Sequence, residues 1–188
     1  MSQPRDSKAA RAPSYTSATS STPLLGETIG DMFDRIATQY ADNDALISIH
    51  QGIRWNYREL QQQVTTCAKA LMAIGVSKGD RVGIWSPNMA QWCVTQFATA
   101  KIGAILVNIN PAYRQHELEY ALNQSECSFL IAADQFKSSN YTAMLNKLAP
   151  ELKDSVPGQL ISPALPYMKG LITLSEIAVP GMLSWQQL

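Results

Sequence analysis

With 188 residues, the chain is long enough for one domain and a tail, since domains cluster near about 100 to 200 residues. Lysine plus arginine and aspartate plus glutamate each total 15, so the formal net charge is zero and no global field would attract nucleic acid or an anionic membrane. Charged residues make up only 16%, which fits either a surface covered by another part of a larger protein or a sparsely charged domain.

The first 23 residues differ in composition from everything that follows. Residues 1–23 are rich in Ser, Thr, Ala and Pro and have no apolar period, so they cannot bury enough surface to offset the entropy of ordering. This predicts a disordered tail. An Arg- and Ser-bearing, acid-poor start also leaves an organelle transit peptide open, although Pro4, Asp6 and Pro13 disfavour the amphipathic helix of such a peptide.

A helix and a hairpin are predicted at the start of the folded part. Apolar side chains at helical spacing follow Thr28, and Asp31 stands three residues after it, as in a capping box. Two β-type runs, 44–50 and 53–57, are separated by a segment containing Gly52, which can supply the positive φ of a turn.

Beyond the hairpin the pattern alternates between helices and strands. The predicted order is helix 57–74, strand 81–85, helix 88–101, strand 104–108, helix 114–124, strand 128–132, helix 138–149 and strand 170–174. Ser86 and Pro87 are the expected N-cap and first residue of helix 88–101. No element is predicted after Ser175. The fold class is therefore α/β, with a largely parallel sheet flanked by helices and a small β-hairpin.

The cysteines and histidines indicate neither disulfides nor a metal site. Cys67, Cys93 and Cys127 have no paired spacing and lie within apolar or helical patterns, which is typical of reduced thiols. His50 and His116 are isolated from them and from any carboxylate cluster. No apolar run approaches the about 18 residues of a membrane span and no signal peptide is recognisable, so we expect a cytoplasmic protein.

Three segments of the chain resemble one enzyme superfamily. WNYREL at 55–60 looks like the T-Y-x-E-L element of adenylate-forming enzymes, and GDRV at 79–82 followed by SPN at 86–88 is similar to the G-D-R-V-x-I-x-x-x-N segment of acyl-CoA synthetases. AKIGAILVNINP at 100–111 is similar to the A-x-x-G-A-x-x-x-x-x-N-P motif of the superfamily. In this order and spacing they identify residues 27 to about 174 as similar to the N-terminal portion of an acyl-CoA synthetase, a fatty-acid:CoA ligase.

Each matched residue can also be explained by folding alone. Glu59 lies in the first turn of a helix, where a carboxylate interacts favourably with the helix dipole. Gly103 fits a turn from helix to strand, and Asn110-Pro111 interrupts the chain after a strand so that the next helix can begin. The motifs are therefore expected to be structural in this part of the enzyme.

The resemblance implies an activity that this chain lacks the residues to perform. Complete members use Mg-ATP to convert a fatty acid to an acyl-adenylate and then transfer the acyl group to CoA, releasing AMP and diphosphate. Their phosphate loop ending in Pro-Lys-Gly, their aromatic-Thr-Glu segment, their ribose-binding Asp and the Lys of their C-terminal domain have no counterpart here. We therefore predict no catalytic residue, no activity of this chain alone, and a partnership with the missing C-terminal portion.

The resemblance also places four residues near CoA. The loop matching Asn108 to Pro111, which includes Asn110, lies near the CoA nucleotide in related synthetases. Lys137 follows strand 128–132 and could meet a CoA phosphate. It matches no motif, which favours its alternative explanation as a solvated lysine at a helix start.

Two organisations remain open at this stage. In the first, residues 24–175 form the N-terminal subdomain of a ligase and 176–188 are a truncated connecting segment, with self-association through 170–188 or the sheet edge that this segment would have joined. In the second, the chain is a stand-alone noncatalytic module that binds a ligand or pairs with a partner chain.

Overall fold

A computed structural model describes residues 21–188, so all but the last three residues of the predicted tail lie outside the described part. The helices are α1 (Ile29–Gln39), α2 (Tyr57–Ala73), α3 (Ala90–Ile102), α4 (Gln115–Gln124) and α5 (Tyr141–Leu148). The strands are β1 (Asp44–Ser48), β2 (Ile53–Asn56), β3 (Arg81–Trp85), β4 (Ile105–Ile109), β5 (Phe129–Ala132), β6 (Gln135–Phe136), β7 (Ser139–Asn140), β8 (Gly170–Thr173) and β9 (Leu183–Ser184). Three-ten helices occur at Ile49–Gln51, Pro150–Asp154 and Trp185–Gln187.

The central sheet confirms the predicted α/β class. Five strands pair in the order β4-β3-β5-β8-β9, and every pair is parallel. Strands β1 and β2 form the predicted antiparallel hairpin. Thr28 caps α1 as expected, since its Oγ1 accepts a hydrogen bond from the Asp31 N–H at 3.1 Å. The predicted capping box is wrong in its second half, because the Asp31 carboxylate accepts from the Thr28 hydroxyl at 2.7 Å and not from the Thr28 backbone N–H.

Helices cover both faces of the sheet. Alternate strand residues point to opposite faces. Ile84 and Ile131 therefore join one apolar cluster with α1, α2 and α3, whereas Trp85 and Leu130 join a second cluster with α4 and α5. The sheet is thus the buried middle layer of three, and its strands read as continuous apolar runs because both faces are covered.

The start of α3 differs from the prediction. The helix begins at Ala90, and the Ser86 hydroxyl donates instead to the carbonyl of Pro87 at 2.8 Å, so the prediction of Ser86 as N-cap and Pro87 as first helical residue is wrong. The Ala90 N–H donates to the Gln51 Oε1 at 2.7 Å. A side chain from the turn between β1 and β2 therefore satisfies one of the free N–H groups at this helix terminus, in place of a local cap.

The predicted helix at 138–149 also begins later. Residues 135–140 form a second hairpin, β6–β7, and α5 starts at Tyr141. Asn140 fixes this start because its side-chain oxygen accepts from the Ala143 N–H at 2.8 Å. Lys137 lies in the turn of the hairpin with φ of 52° and is therefore not a helix-start lysine.

The C-terminal segment contains structure that the sequence does not predict. Strand β9 pairs with β8, and Leu183, Trp185 and Leu188 pack against the cluster on the α1–α3 side. The boundaries at 24–175 and 176–188 stay predictions. No helix within residues 21–188 has both the length and the apolar character needed to cross a membrane.

Candidate functional site

The parallel strands end together at one edge of the sheet, next to a change in direction of the chain. Strand β3 leads into α3 on one face, whereas β5, which pairs beside β3, leads towards α5 on the other. In open α/β sheets, adjacent strands whose connections leave on opposite faces create a crevice at their carboxyl ends, and ligands bind there. This edge is the candidate functional site.

Two buried aromatic side chains hold this edge together, and we call Trp85 and Tyr141 the aromatic bracket. Their rings are stacked, with centroids 3.5 Å apart and planes 6° from parallel. The Trp85 Nε1–H donates to the Asn110 carbonyl at 3.1 Å, and the Tyr141 hydroxyl donates to the Pro111 carbonyl. Burial raises the pKa of Tyr141 to about 12, so its hydroxyl keeps its proton at neutral pH.

The loop after β4 is compact and brings two of the predicted residues together. Asn110 Oδ1 accepts from the Ala112 N–H at 2.9 Å, and the Asn110 carbonyl accepts from the Tyr113 N–H at 3.0 Å. Asn110 is exposed and Pro111 half-buried. Asn108 is also exposed, but it alternates with Ile109 along β4 and so lies on the α1–α3 side of the strand.

Lys137 reaches the same edge from a different element. It is exposed, and its Nζ lies 5.2 Å from the centroid of the Phe136 ring. Its hairpin is closed at the base because the Tyr141 N–H donates to the Asp134 carbonyl at 2.9 Å. Tyr141 therefore contacts both the base of the Lys137 hairpin and the Pro111 loop.

A mostly apolar cleft of about 410 Å³ lies between the β1–β2 hairpin and the start of α3, close to the end of β3. It was not predicted from the sequence. Its wall includes Ile47, Ile49, His50, Met89 and Cys93. Burial raises the pKa of the Cys93 thiol, so this sulfur is protonated at neutral pH and is not an activated nucleophile.

The other two cysteine thiols of the chain are buried, and the exposed groups at this edge are polar side chains. Burial also raises the pKa of Cys127, and that of Cys67 to about 12. Among residues 21–188, no three His, Cys, Asp or Glu side chains lie together as metal ligands would. Asn110 and Lys137 supply exposed amide and ammonium groups, which suit a polar or phosphorylated ligand. The 188 residues do not fit the phosphates of Mg-ATP, since they contain no glycine-rich phosphate loop.

Comparison with known proteins gives consistent matches. The model of the AMP-binding enzyme family matches residues 33–171. The Bacillus subtilis (strain 168) protein named "Putative acyl-CoA synthetase YngI" is 41% identical over 162 residues, which are 86% of this chain and 30% of that protein. The mitochondrial medium-chain acyl-CoA ligase ACSF2 of Mus musculus is 38% identical over 170 residues, covering 90% of this chain and 28% of that protein.

The solved structures agree on the fold. Acetoacetyl-CoA synthetase from Streptomyces lividans aligns with a TM-score of 0.70 at 24% identity, over 86% of this chain and 24% of that chain. This likeness concerns the fold alone. The chain spans less than a third of the length of the two curated relatives, and it corresponds to their N-terminal part.

Proposed function

Because the chain belongs to the AMP-binding enzyme family, we propose that it forms the N-terminal α/β layer of an ATP-dependent fatty-acid:CoA ligase. The complete enzyme would join a fatty acid to CoA and convert ATP to AMP and diphosphate. The observation that carries this proposal is the 41% identity with YngI over 86% of the chain. The carboxyl edge of the sheet would supply one wall of the CoA site.

The proposal divides the work between this chain and the rest of the ligase. ATP and Mg would be held by residues outside this chain, because no phosphate loop or aromatic-Thr-Glu segment occurs in its 188 residues. The exposed groups of Asn110 and Lys137 would instead face CoA. The partner that completes the enzyme is therefore the C-terminal portion of the ligase.

A pair of assays tests this division. The 188-residue chain alone, given Mg-ATP, fatty acid and CoA, should show neither ATP–diphosphate exchange nor acyl-CoA formation. A chimera in which this chain replaces the aligned part of YngI should catalyse both, if YngI itself does so under the same conditions. Activity of the chain alone, reproduced in a second preparation, would refute the division. A folded but inactive chimera beside active YngI would refute the ligase assignment.

The CoA side comprises Asn108, Asn110, Pro111 and Lys137 in this proposal. A charge-assisted hydrogen bond is worth about 1.5 to 3 kcal/mol, so Lys137→Ala in the chimera should raise the KM for CoA roughly tenfold or more and leave acyl-adenylate formation unchanged. Lys153→Ala removes another exposed lysine and is the matched control. An unchanged KM for CoA would assign Lys137 to the solvated surface.

One observation favours the alternative, a stand-alone noncatalytic module. Strand β9 pairs with two residues of β8, and Trp185 and Leu188 pack on the core, so the segment after Ser175 belongs to the folded part. A ligand-binding or partner-pairing module would need this segment to be folded in the same way. An inactive chimera together with a monomeric, stable chain would support this alternative.

We also propose that the isolated chain self-associates. Within residues 21–188, β4 pairs only with β3, and Ile105 on β4 is 52% exposed. An unpaired strand edge without charged residues invites another strand. Association through 170–188 stays a prediction. Sedimentation equilibrium over a concentration series should show a dimer or larger species, whereas the monomer mass at every concentration would refute self-association.

The proposed location is the cytoplasm. Cys67, Cys93 and Cys127 are free thiols in the structure, as in a reducing compartment. A fluorescent fusion of the full chain should remain diffuse. Mitochondrial import that is lost when residues 1–23 are deleted would instead support the transit-peptide alternative.

A further inference from the structure

We infer that Trp85 and Tyr141, the aromatic bracket, are positioning residues that fix the Asn110–Pro111 loop and the Lys137 hairpin as one unit. This inference rests on the proposed function, because it assigns both elements to the same CoA side. Neither aromatic residue is expected to touch CoA.

The loop is held by side chains rather than by the strand ladder. Strand β4 ends at Ile109, so Asn110 and Pro111 lie beyond its pairing with β3. Two successive carbonyls of the loop accept from the two rings of the bracket, one from an indole N–H and the other from a phenol hydroxyl. The stacked rings are fully buried, so neither donor can turn to water without disrupting the core.

The hairpin is held by the same tyrosine. The Tyr141 N–H closes the hairpin base through the Asp134 carbonyl, and Tyr141 is also the first residue of α5. Lys137 adopts a left-handed φ of 52° at the tip, a conformation that residues other than glycine adopt at a cost. A pair of two-residue strands contributes little stability to offset that cost. The hairpin therefore depends on the hydrogen bond from the Tyr141 N–H to the Asp134 carbonyl.

The hydroxyl distinguishes positioning from simple core packing. Phenylalanine at position 141 would retain the ring, the stacking on Trp85 and the backbone contact with Asp134. It would remove only the donor to the Pro111 carbonyl and leave a buried acceptor without that partner. A residue needed only for packing would tolerate this change, whereas a positioning residue would not.

Amide hydrogen exchange in the full 188-residue chain tests the inference directly. Tyr141→Phe should accelerate exchange of the Ala112 and Tyr113 amides about fivefold or more, because both are protected by hydrogen bonds within the loop. Trp85→Phe, which keeps an aromatic ring but removes the indole N–H, should accelerate the same amides and also those of the hairpin. In the double variant, the change in the free energy of opening should be smaller than the sum of the changes in the two single variants, since the two residues act as one unit.

Val64→Ala provides the control for a general loss of stability. Val64 is fully buried in the cluster on the other face of the sheet. Its truncation should destabilise the chain without selective acceleration in the loop or the hairpin. Uniform acceleration in Tyr141→Phe, matching that of Val64→Ala, would overturn the inference, and so would unchanged exchange at Ala112 and Tyr113.

Titration with CoA links the exchange result to the site. Neither ATP nor CoA is expected to bind the isolated chain tightly, so the titration extends to high CoA concentration. CoA should then shift the amide resonances of the loop and the hairpin in wild type, and Tyr141→Phe should weaken its apparent affinity about threefold or more. Unchanged affinity in Tyr141→Phe would overturn the positioning role toward CoA. If CoA shifts no resonance of the isolated wild-type chain, the KM for CoA of the Tyr141→Phe chimera decides the role toward CoA, and the exchange data still decide whether the bracket positions both elements.

Discussion

The two ends of the parallel sheet are constructed differently. Backbone hydrogen bonds extend the strand ladder at both ends: the Ile105 N–H donates to the Asp80 carbonyl at 2.8 Å at the amino end, and the Ala133 N–H donates to the Trp85 carbonyl at 3.1 Å at the carboxyl end. At the amino end the Arg81 Nε–H also donates to the Ser125 carbonyl at 2.9 Å. At the carboxyl end, the loop after β4 is fixed by the side chains of Trp85 and Tyr141.

This difference determines which substitutions each end tolerates. Backbone hydrogen bonds use groups that every residue except proline possesses. The turn into β4 at the amino end, where the Gly103 carbonyl accepts from the Gly79 N–H, therefore depends on chain conformation more than on side-chain identity. The carboxyl end depends on particular indole, phenol and amide groups. A binding site that must hold chemical groups at defined positions is therefore more readily constructed at the carboxyl end. Residues at the carboxyl end should be more sensitive to replacement than those at the amino end.

The largest expected effect is at the carboxyl end. Trp85→Ala removes a fully buried indole, its stacking on Tyr141 and its hydrogen bond to Asn110, and it should lower the free energy of unfolding by about 3 to 5 kcal/mol. Urea denaturation followed by circular dichroism measures the change. Trp92 is half-buried on α3, so Trp92→Ala should lower the free energy of unfolding clearly less than Trp85→Ala does. Equal losses would mean that the bracket contributes no more than ordinary packing.

The second effect is a loss of stability in alkali that depends on Tyr141. Burial raises its pKa from 10.0 to about 12 in the folded protein. Below pH 10 both states keep the proton, whereas between pH 10 and about 12 the unfolded state loses it first, so unfolding becomes more favourable as the pH rises. At most about 2 to 3 kcal/mol should be lost over this interval, since one pKa unit corresponds to about 1.4 kcal/mol.

Urea denaturation at pH 9 and pH 11.5 in wild type, Tyr141→Phe and Val64→Ala measures this contribution. Tyr141→Phe should lose less stability between the two pH values than wild type or Val64→Ala does. Cys67 also has a pKa raised to about 12, but it is present in all three proteins and cancels in the comparison. Identical losses in the three proteins would show that the Tyr141 proton does not contribute.

The sequence predicts most of the fold because its signals are local. Apolar spacing and the alternation of helices with strands indicate a parallel sheet, and Thr28 marks the start of α1. The cap of α3 could not be predicted this way, since Gln51 lies 39 positions before Ala90 and is brought there only by folding. The β6–β7 hairpin was missed because its strands contain two residues each, too few for a period to appear.

The candidate site was only partly predictable. A motif of the superfamily indicates Asn108, Asn110 and Pro111, and a position after a strand indicates Lys137. Their role at a CoA site stays a prediction. The bracket was missed because Trp85 and Tyr141 are far apart in sequence and each fits an apolar pattern. One signal in the sequence points to the bracket. Buried Trp and Tyr side chains usually need a hydrogen-bond acceptor, so Trp85 at a strand end and Tyr141 at a helix start indicate that an acceptor lies nearby.

The third effect concerns conformation at the amino end. Gly103 has φ of 72°, and an added Cβ would meet the Lys78 Cγ at 3.0 Å. Gly103→Ala should therefore cost about 1 to 2 kcal/mol, mainly because an L-residue is disfavoured at this φ while the lysine side chain can move. Gly26→Ala, where nothing lies within 4 Å of the added carbon, should change stability by less than about 0.5 kcal/mol. Equal costs in urea denaturation would contradict a conformational requirement at the amino end.

The smallest expected effect concerns the left-handed backbone conformation of Lys137 at the carboxyl end and its relation to CoA binding. Lys137 has a left-handed φ of 52°, so Lys137→Gly should stabilise the chain by up to about 1 kcal/mol, whereas Lys137→Ala keeps the unfavourable φ and should not stabilise it. Both variants remove the ammonium group. If Lys137 binds a phosphate of CoA, both variants should weaken CoA binding equally despite their different effects on stability. Weakened binding in Lys137→Gly alone would instead indicate that the hairpin conformation, and not the charge, matters to CoA.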